Sequence, residues 1–239
     1  MLHRLVLLHG WGMNSHIWGD FAAQLDKEYE LIRLDLYYDQ DLPTLSQSII
    51  KRLGDKKPFY VLGWSLGGIL ALDLALRFQQ QVLGIVLLAS NPCFVETQSW
   101  QGMPLTMFND FFQQLQLHPL RTLQRFLALQ FQNIPNGRQL LKHAKQSTLH
   151  SQLPLSTLEQ GLNLLKETDY RFVLAQLTCP VKAMMSDNDP LIPIAVSAQL
   201  KQLQPAIDIS IFSDAGHVPF ISHTQQCLTA IRAFIDDRN

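Results

Sequence analysis

The sequence predicts an α/β fold in which helices flank a mostly parallel central sheet. Short apolar runs rich in Val, Ile and Leu alternate with longer segments whose apolar residues recur at helical spacing. The nearly uninterrupted apolar run at 83–88 is typical of a strand that is buried on both faces. With 239 residues, of which 47% are hydrophobic, the chain is long enough to build one sizeable core.

The order of the elements predicts one domain with an insertion. Strands are predicted at 4–8, 30–34, 59–63, 83–89, 181–185 and 207–212, and helices at 17–25, 45–53, 66–78, 194–203 and 224–235. The alternation stops near residue 92, where the chain becomes helical and rich in Leu, Gln and Phe, and it resumes near residue 179. We therefore predict a single domain over 1–239, with a core at 1–91 and 179–239 and an inserted helical lid at 92–178.

Composition excludes several classes of protein. A formal net charge of -1 argues against a nucleic-acid-binding protein, which needs many Lys and Arg residues to neutralise phosphates. No apolar run approaches the roughly 20 residues of a membrane-spanning helix. The three cysteines, Cys93, Cys179 and Cys227, show neither metal-ligand spacing nor an even count for disulfides. We expect a reduced, cytoplasmic protein that holds no metal and no cofactor.

A candidate nucleophile lies between the third strand and the next helix. The string G-W-S-L-G-G at 63–68 follows the strand directly and opens the helix, which is the context of the nucleophile elbow of α/β hydrolases. Glycines are needed because side chains two residues before or after Ser65 would collide with the sharp turn. The turn also places the Leu66 N–H at a helix start, where it can bind an oxyanion. We therefore predict an α/β-hydrolase fold with Ser65 as nucleophile.

A second oxyanion donor is predicted in the loop after the first strand. The string H-G-W-G at 9–12 lies at the carboxyl edge of the sheet, where open α/β folds bind ligands. The Trp11 N–H is positioned to donate to the oxyanion, and its indole to line the substrate cleft. His9 is expected to order this loop by hydrogen bonding.

The base and the acid are predicted near the C-terminus, since the order in α/β hydrolases is Ser, acid, His. His217 follows the last strand and is the predicted general base. Two carboxylates follow the fifth strand. Asp189 has the usual spacing from Pro193 and is preferred as the acid, with Asp187 as the alternative.

Several strings together resemble one esterase family. They are H-G-W-G-M-N at 9–14, G-W-S-L-G-G at 63–68, S-N-P-C-F at 90–94, R-F-L-A-L-Q at 125–130 and G-H-V-P-F-I-S-H at 216–223. This set is similar to the biotin-pathway carboxylesterases of the α/β-hydrolase superfamily, which demethylate pimeloyl-[acyl-carrier protein] methyl ester. The likeness covers nearly the whole chain. The elbow alone identifies only the superfamily, whereas the strings at 92–94, 125–130 and 219–223 are far more specific.

The resemblance implies a serine carboxylic ester hydrolase that acts on an ester carried by an acyl carrier protein. It implies the triad of Ser65, Asp189 and His217, with Trp11 and Leu66 as oxyanion donors. Trp11 and Phe126 are implied to contact the acyl chain. The residues implied to dock the carrier protein are Arg121, Arg125, Arg138 and Lys142. Lys142 replaces an expected arginine, which keeps the charge but loses the planar fork. We expect a monomer.

The charge distribution independently favours an acidic partner for the lid. Residues 111–158 contain five Lys or Arg residues and no Asp or Glu. An ordinary solvated face mixes both signs of charge, whereas a basic face suits an acidic partner because complementary charge speeds encounter.

Two alternatives remain open at the level of sequence. The chain could be another small-ester, thioester or C–C bond hydrolase of this fold that acts on an anionic small substrate. It could also be a binding protein that keeps the fold and has lost turnover, which the intact Ser65, Asp189 and His217 disfavour.

Overall fold

A parallel sheet forms the centre of the protein, whose computed structural model describes residues 2–148 and 153–236. The strands are β1 (Arg4–Leu8), β2 (Glu30–Leu34), β3 (Phe59–Trp64), β4 (Val82–Leu88), β5 (Val181–Ser186) and β6 (Asp208–Phe212). They lie in the order β2-β1-β3-β4-β5-β6, and every neighbouring pair is parallel. All six predicted strands are present, with bounds that differ by one residue at most, and the α/β prediction is confirmed.

Helices flank the sheet and fill the gap between β4 and β5. They are α1 (Gly19–Leu25), α2 (Leu42–Leu53), α3 (Leu66–Arg77), α4 (Leu105–Leu117), α5 (Pro119–Leu129), α6 (Gly137–Thr148), α7 (Leu155–Glu167), α8 (Arg171–Gln176), α9 (Val196–Leu203), α10 (Pro219–Ser222) and α11 (Thr224–Asp236). Every residue of α3 from Leu66 to Ala75 is buried, and all of them except Asp73 are apolar or glycine, as expected of a helix enclosed on all sides. Because α3 follows the inner strand β3, residue 65 lies near the middle of the sheet's carboxyl edge.

Helix starts are where the sequence prediction was wrong. The helix predicted at 17–25 is a 3₁₀ turn at Ser15–Trp18 followed by α1, because the chain turns at Gly19, which has a φ of 40°. The helix predicted from residue 45 begins at Leu42, since the Asp41 side chain accepts a hydrogen bond from the Thr44 N–H (2.9 Å) and caps it. The helix predicted from residue 194 begins at Val196.

Five helices, α4 to α8, occupy the segment between β4 and β5. Within its described residues, 92–148 and 153–178, the only strand pairings are isolated bridges. One bridge joins Cys93 to Asp169, and the Tyr170 N–H donates to Pro92 O (2.7 Å). The segment therefore leaves the sheet and returns to it at the same place. No helix in the described part of the chain is both long enough and apolar enough to span a membrane.

Candidate active site

Ser65 occupies a strained turn that only neighbouring glycines permit. Its backbone has φ 55° and ψ −121°, a conformation that non-glycine residues rarely adopt. A Cβ atom on Gly63 would lie 2.2 Å from Gly67 O, and one on Gly67 would lie 2.2 Å from Leu8 O. Ser65 thus stands between β3 and α3 on the turn that the motif predicts.

Strand β4 and the residues that follow it hold the backbone of Ser65 in place. The Ser65 N–H donates to Leu88 O (3.0 Å), and the Ser90 hydroxyl donates to Ser65 O (2.7 Å). A Cβ atom on Gly68 would lie 2.3 Å from Ser90 Oγ, so this glycine makes room for the hydroxyl. Sequence reasoning did not assign this role to Ser90, which was noted only as the first residue of the string at 90–94, directly after a predicted strand.

The structure pairs His217 with Asp189. The distance from His217 Nδ1 to Asp189 Oδ2 is 2.8 Å, and 0% and 1% of the two side chains are exposed. The second carboxylate oxygen of Asp189 accepts hydrogen bonds from the Leu191 N–H (2.8 Å) and the Ile192 N–H (3.1 Å). Asp187, by contrast, is exposed. Of the two acids that the sequence left open, Asp189 is therefore the one in place to orient the imidazole.

The second ring nitrogen of His217, Nε2, takes no part in the pairing with Asp189. His217 Nε2 is buried and has no hydrogen-bond partner among the described residues. The Trp64 Nε1–H donates to His217 O (2.8 Å), so the loop that carries the histidine is tied to the neighbour of Ser65. Sequence reasoning did not find this role of Trp64. The pair Asp189–His217 is thereby brought to the same end of β3 as Ser65.

The two predicted oxyanion donors also lie beside Ser65. Leu66 starts α3, so its N–H has no partner within the helix. The loop that carries Trp11 passes close to the nucleophile, since a Cβ atom on Gly10 would lie 3.1 Å from Ser65 Cβ. Neither the Trp11 nor the Leu66 N–H donates a hydrogen bond to any group in the described part of the chain. Both amides are therefore available to a bound oxyanion.

His9, as a neutral imidazole, holds the Trp11 loop in place through hydrogen bonds. The Leu36 N–H donates to His9 Nε2 (3.0 Å), so the ring proton is on Nδ1, which lies 2.9 Å from Gly10 O. The Tyr38 hydroxyl donates to His9 O (2.6 Å). Burial lowers the pKa of His9 from 6.5 to about 4, because the charged form loses its hydration.

This buried histidine makes the stability of the fold depend on pH. Below pH 6.5 the unfolded chain binds a proton at His9 that the folded chain does not take up until about pH 4. The free energy of unfolding is therefore expected to fall as the pH drops through this window, by about 3 kcal/mol at most. Urea unfolding at pH 7.0, 5.5 and 4.5 measures the slope of the free energy of unfolding against pH.

The matched variants are His9→Gln and His16→Gln. His16 is exposed, so its replacement should leave the slope unchanged, whereas His9→Gln should flatten it. An equal slope in the wild type and in His9→Gln would assign the effect to other groups.

A small apolar cavity lies next to the Trp11 loop. Its volume is about 100 Å³, and the inserted helices supply most of its lining. Aromatic and aliphatic side chains line it, among them Trp11, Phe94, Phe108, Phe111, Phe126, Leu162 and Leu165. The Trp11 and Phe126 rings meet edge to face with their centroids 5.0 Å apart. Both residues that were predicted to contact an acyl chain thus share one apolar wall.

Exposed basic residues lie on α5 and α6. Arg121, Arg125, Arg138 and Lys142 are all exposed, and none forms an ion pair with a residue that the structure describes. Arg138 borders an open groove of about 730 Å³ between the end of α5 and the start of α6. Of the acid-free segment 111–158, residues 149–152 lie outside the described residues. Within the described residues, no group of three or more His, Cys, Asp or Glu side chains could hold a metal ion.

Comparisons with known proteins show the family to which the chain belongs. The model of the alpha/beta hydrolase fold family matches residues 3–224. A pimeloyl-[acyl-carrier protein] methyl ester esterase from Edwardsiella ictaluri is 36% identical over 242 residues, which cover 98% of this chain and 94% of the relative. One from Aeromonas salmonicida is 35% identical, with 97% and 94% covered. Another, from Aliivibrio fischeri strain MJ11, is 32% identical, with 97% and 93% covered.

Solved structures support the same fold at lower sequence identity. An esterase from Exiguobacterium antarcticum superposes with a TM-score of 0.86 at 18% identity, covering 98% of this chain and 92% of the other. An enol-lactonase from Burkholderia xenovorans LB400 superposes with a TM-score of 0.84 at 13% identity, covering 99% and 92%. At these identities the likeness concerns the fold alone.

Proposed function

Since this chain belongs to the α/β-hydrolase family, among its pimeloyl-[acyl-carrier protein] methyl ester esterases, we propose that it hydrolyses the methyl ester of pimeloyl-[acyl-carrier protein] in biotin biosynthesis. The products are pimeloyl-[acyl-carrier protein] and methanol. The observation that carries the proposal is the buried pair of Asp189 and His217, which lies at the carboxyl end of β3 with Ser65 on the strained turn.

The proposed reaction runs through an acyl-enzyme. His217 Nε2 accepts the proton of the Ser65 hydroxyl as Oγ bonds to the ester carbonyl carbon. The carbonyl oxygen becomes an oxyanion that accepts hydrogen bonds from the Trp11 and Leu66 N–H groups. The bond to the methoxy oxygen then breaks, and the imidazolium of His217 gives its proton to the leaving oxygen, so methanol departs.

Water completes the cycle. His217 Nε2 takes a proton from a water molecule as its oxygen attacks the acyl carbon on Ser65 Oγ. The bond between the acyl carbon and Oγ breaks, the serine regains its proton from His217, and the carboxylic acid is released. Asp189 accepts the Nδ1–H of His217 throughout, which holds the ring orientation and stabilises the imidazolium.

The apolar cavity and the basic helices support the choice of substrate. A methylene chain has no polar groups, so it suits the lining that Trp11 and Phe126 share. The exposed cations Arg121, Arg125, Arg138 and Lys142 suit an acidic carrier protein, whose attraction to them speeds encounter and sets register. We further propose that residues 92–178 act as a lid over this site, because they supply both the cavity wall and the basic face.

The test compares methyl pimelate on its carrier protein with a small free methyl ester. Raising the salt concentration from 50 to 500 mM should lower kcat/KM for the carrier-linked ester about tenfold, because screening weakens attraction between exposed charges. The small ester should change less than about twofold, since it does not need the basic face. Equal salt dependence for both esters, or no turnover of the carrier-linked one, would contradict the proposed substrate.

Charge-neutralising variants show which residues attract the carrier-linked ester. Replacing Arg121 and Arg125 by Gln should lower kcat/KM for the carrier-linked ester and leave the free ester unchanged. The matched control replaces Lys51 and Lys56, which are exposed on the core. An equal loss in the control would place the attraction in the overall charge of the protein and not in the inserted helices.

A further inference from the structure

The Trp11 indole is the point where three inserted helices meet the core. Its Nε1–H donates to Leu158 O on α7 (2.8 Å). The Phe126 ring on α5 and the Phe111 ring on α4 pack against it edge to face, with centroid distances of 5.0 and 5.5 Å. Only 2% of Trp11 is exposed. The ring is therefore held from several sides by side chains and backbone of the insertion.

Gly161 leaves no spare room between α7 and this ring. A Cβ atom at position 161 would lie 2.7 Å from Trp11 Cδ1 and 3.1 Å from Nε1, closer than side chains normally approach. Gly161 lies inside α7, where glycine is a poor helix former. It is not among the residues with positive φ, so the backbone conformation does not require glycine here. The close approach of the indole is the physical reason for a glycine at this position.

The other side of the Trp11 loop is also closely packed, although less tightly. A Cβ atom on Gly10 would lie 3.1 Å from both Ser65 Cβ and Trp64 Cε3. The loop is thus confined between the nucleophile turn on one side and α7 on the other. Because the loop has little room on either side, a side chain added at position 161 would displace the indole and strain the backbone that carries the Trp11 N–H.

We propose that Gly161 is a positioning residue for the oxyanion site: it lets α7 seat directly on the Trp11 indole and so fixes the Trp11 N–H beside Ser65. The proposal rests on the proposed function in one respect, which is that the Trp11 N–H binds the oxyanion. It adds that the inserted helices do more than cover the site, since one of them sets the place of a donor. Displacing α7 from the indole then weakens the stabilisation of the oxyanion.

The direct test is Gly161→Ala, assayed with p-nitrophenyl acetate. The added methyl displaces the ring, so kcat should fall about tenfold to a hundredfold, as expected for a donor moved by about 1 Å. KM should change less than about threefold, because the oxyanion forms only in the transition state. Alanine is the better helix former, so α7 itself is not weakened. Gln160→Ala, next to it in α7, is the matched control and should keep the wild-type kcat.

Making Gly161→Ala in a Trp11→Ala protein as well as in the wild type shows whether the loss of kcat depends on the indole. In Trp11→Ala the ring atoms that Gly161 faces are absent, so adding Gly161→Ala should lower kcat less than about twofold further. An equally large loss in both backgrounds would overturn the proposal, and so would a wild-type kcat in folded Gly161→Ala. Circular dichroism and thermal unfolding establish that each variant is folded.

One more variant covers the case in which Gly161→Ala does not fold. Trp11→Phe removes the Nε1 donor to Leu158 O without changing α7, and it should lower kcat more than it changes KM. An unchanged kcat would overturn the proposal. Failure of the proposed function itself is distinguishable, because it would appear as no turnover of the carrier-linked methyl ester, whereas the effect of Gly161→Ala is measured with p-nitrophenyl acetate.

Discussion

Replacing Ser65 by alanine is expected to lower kcat about 10⁵-fold or more, because the acyl-enzyme cannot form without the hydroxyl. The fold should survive the change. The backbone hydrogen bonds of residue 65, to Leu88 O and from Ser90 Oγ and the Gly68 N–H, remain possible with alanine. Hydrolysis of p-nitrophenyl acetate and of the carrier-linked methyl ester measures the loss, and urea unfolding measures stability.

Ser186→Ala is the matched control for Ser65→Ala. Ser186 ends β5 at the same edge of the sheet, and its buried hydroxyl has no hydrogen-bond partner among the described residues. Its replacement should leave kcat within about twofold of the wild type. Activity of Ser65→Ala within tenfold of the wild type would show that Ser65 is not the nucleophile.

Asp189→Asn is expected to lower kcat about 10⁴-fold while leaving the loop in place. The asparagine carbonyl oxygen can still accept from the Leu191 and Ile192 N–H groups, as Oδ1 of the aspartate does. The amide NH₂ would then face His217 Nδ1, where the carboxylate now lies at 2.8 Å. A donor in that position favours the tautomer with the proton on Nε2, which cannot accept the proton of the serine.

Asp187→Asn tests which of the two acids that follow β5 takes part in catalysis. Asp187 is exposed, and its backbone N–H donates to Phe212 O (3.2 Å). The variant should keep kcat within about twofold of the wild type. If Asp187→Asn loses activity and Asp189→Asn keeps it, the assignment of the acid is reversed.

Elements defined by local patterns were predictable. The inner strands β1, β3, β4 and β5 could be placed within one residue because a strand buried on both faces is a nearly continuous apolar run, whatever lies around it. The turn at Ser65 was predictable because Gly63 and Gly67 satisfy a steric demand of the turn itself. Helix starts were predicted less well, since a cap such as Asp41 acts through one side-chain hydrogen bond that apolar periodicity does not reveal.

Residues that act through distant partners were missed. Ser90 reaches back 25 residues to Ser65 O, and Trp64 reaches 153 residues ahead to His217 O. The hydrogen bond from Trp11 to Leu158 O spans 147 residues. Serine and tryptophan are common in other roles, so the local sequence does not show which distant group each of these side chains contacts.

The sequence by itself determined the α/β class, the order of the strands along the chain and the chemical groups available to the site, because each depends on patterns a few residues long. Only the tertiary structure decided between Asp189 and Asp187 as the partner of His217, since both follow β5 and differ in which way the loop turns them. It also decided that α7 packs on the Trp11 indole at Gly161. Such contacts depend on how the chain folds back across the sheet, and local residue patterns do not encode that geometry.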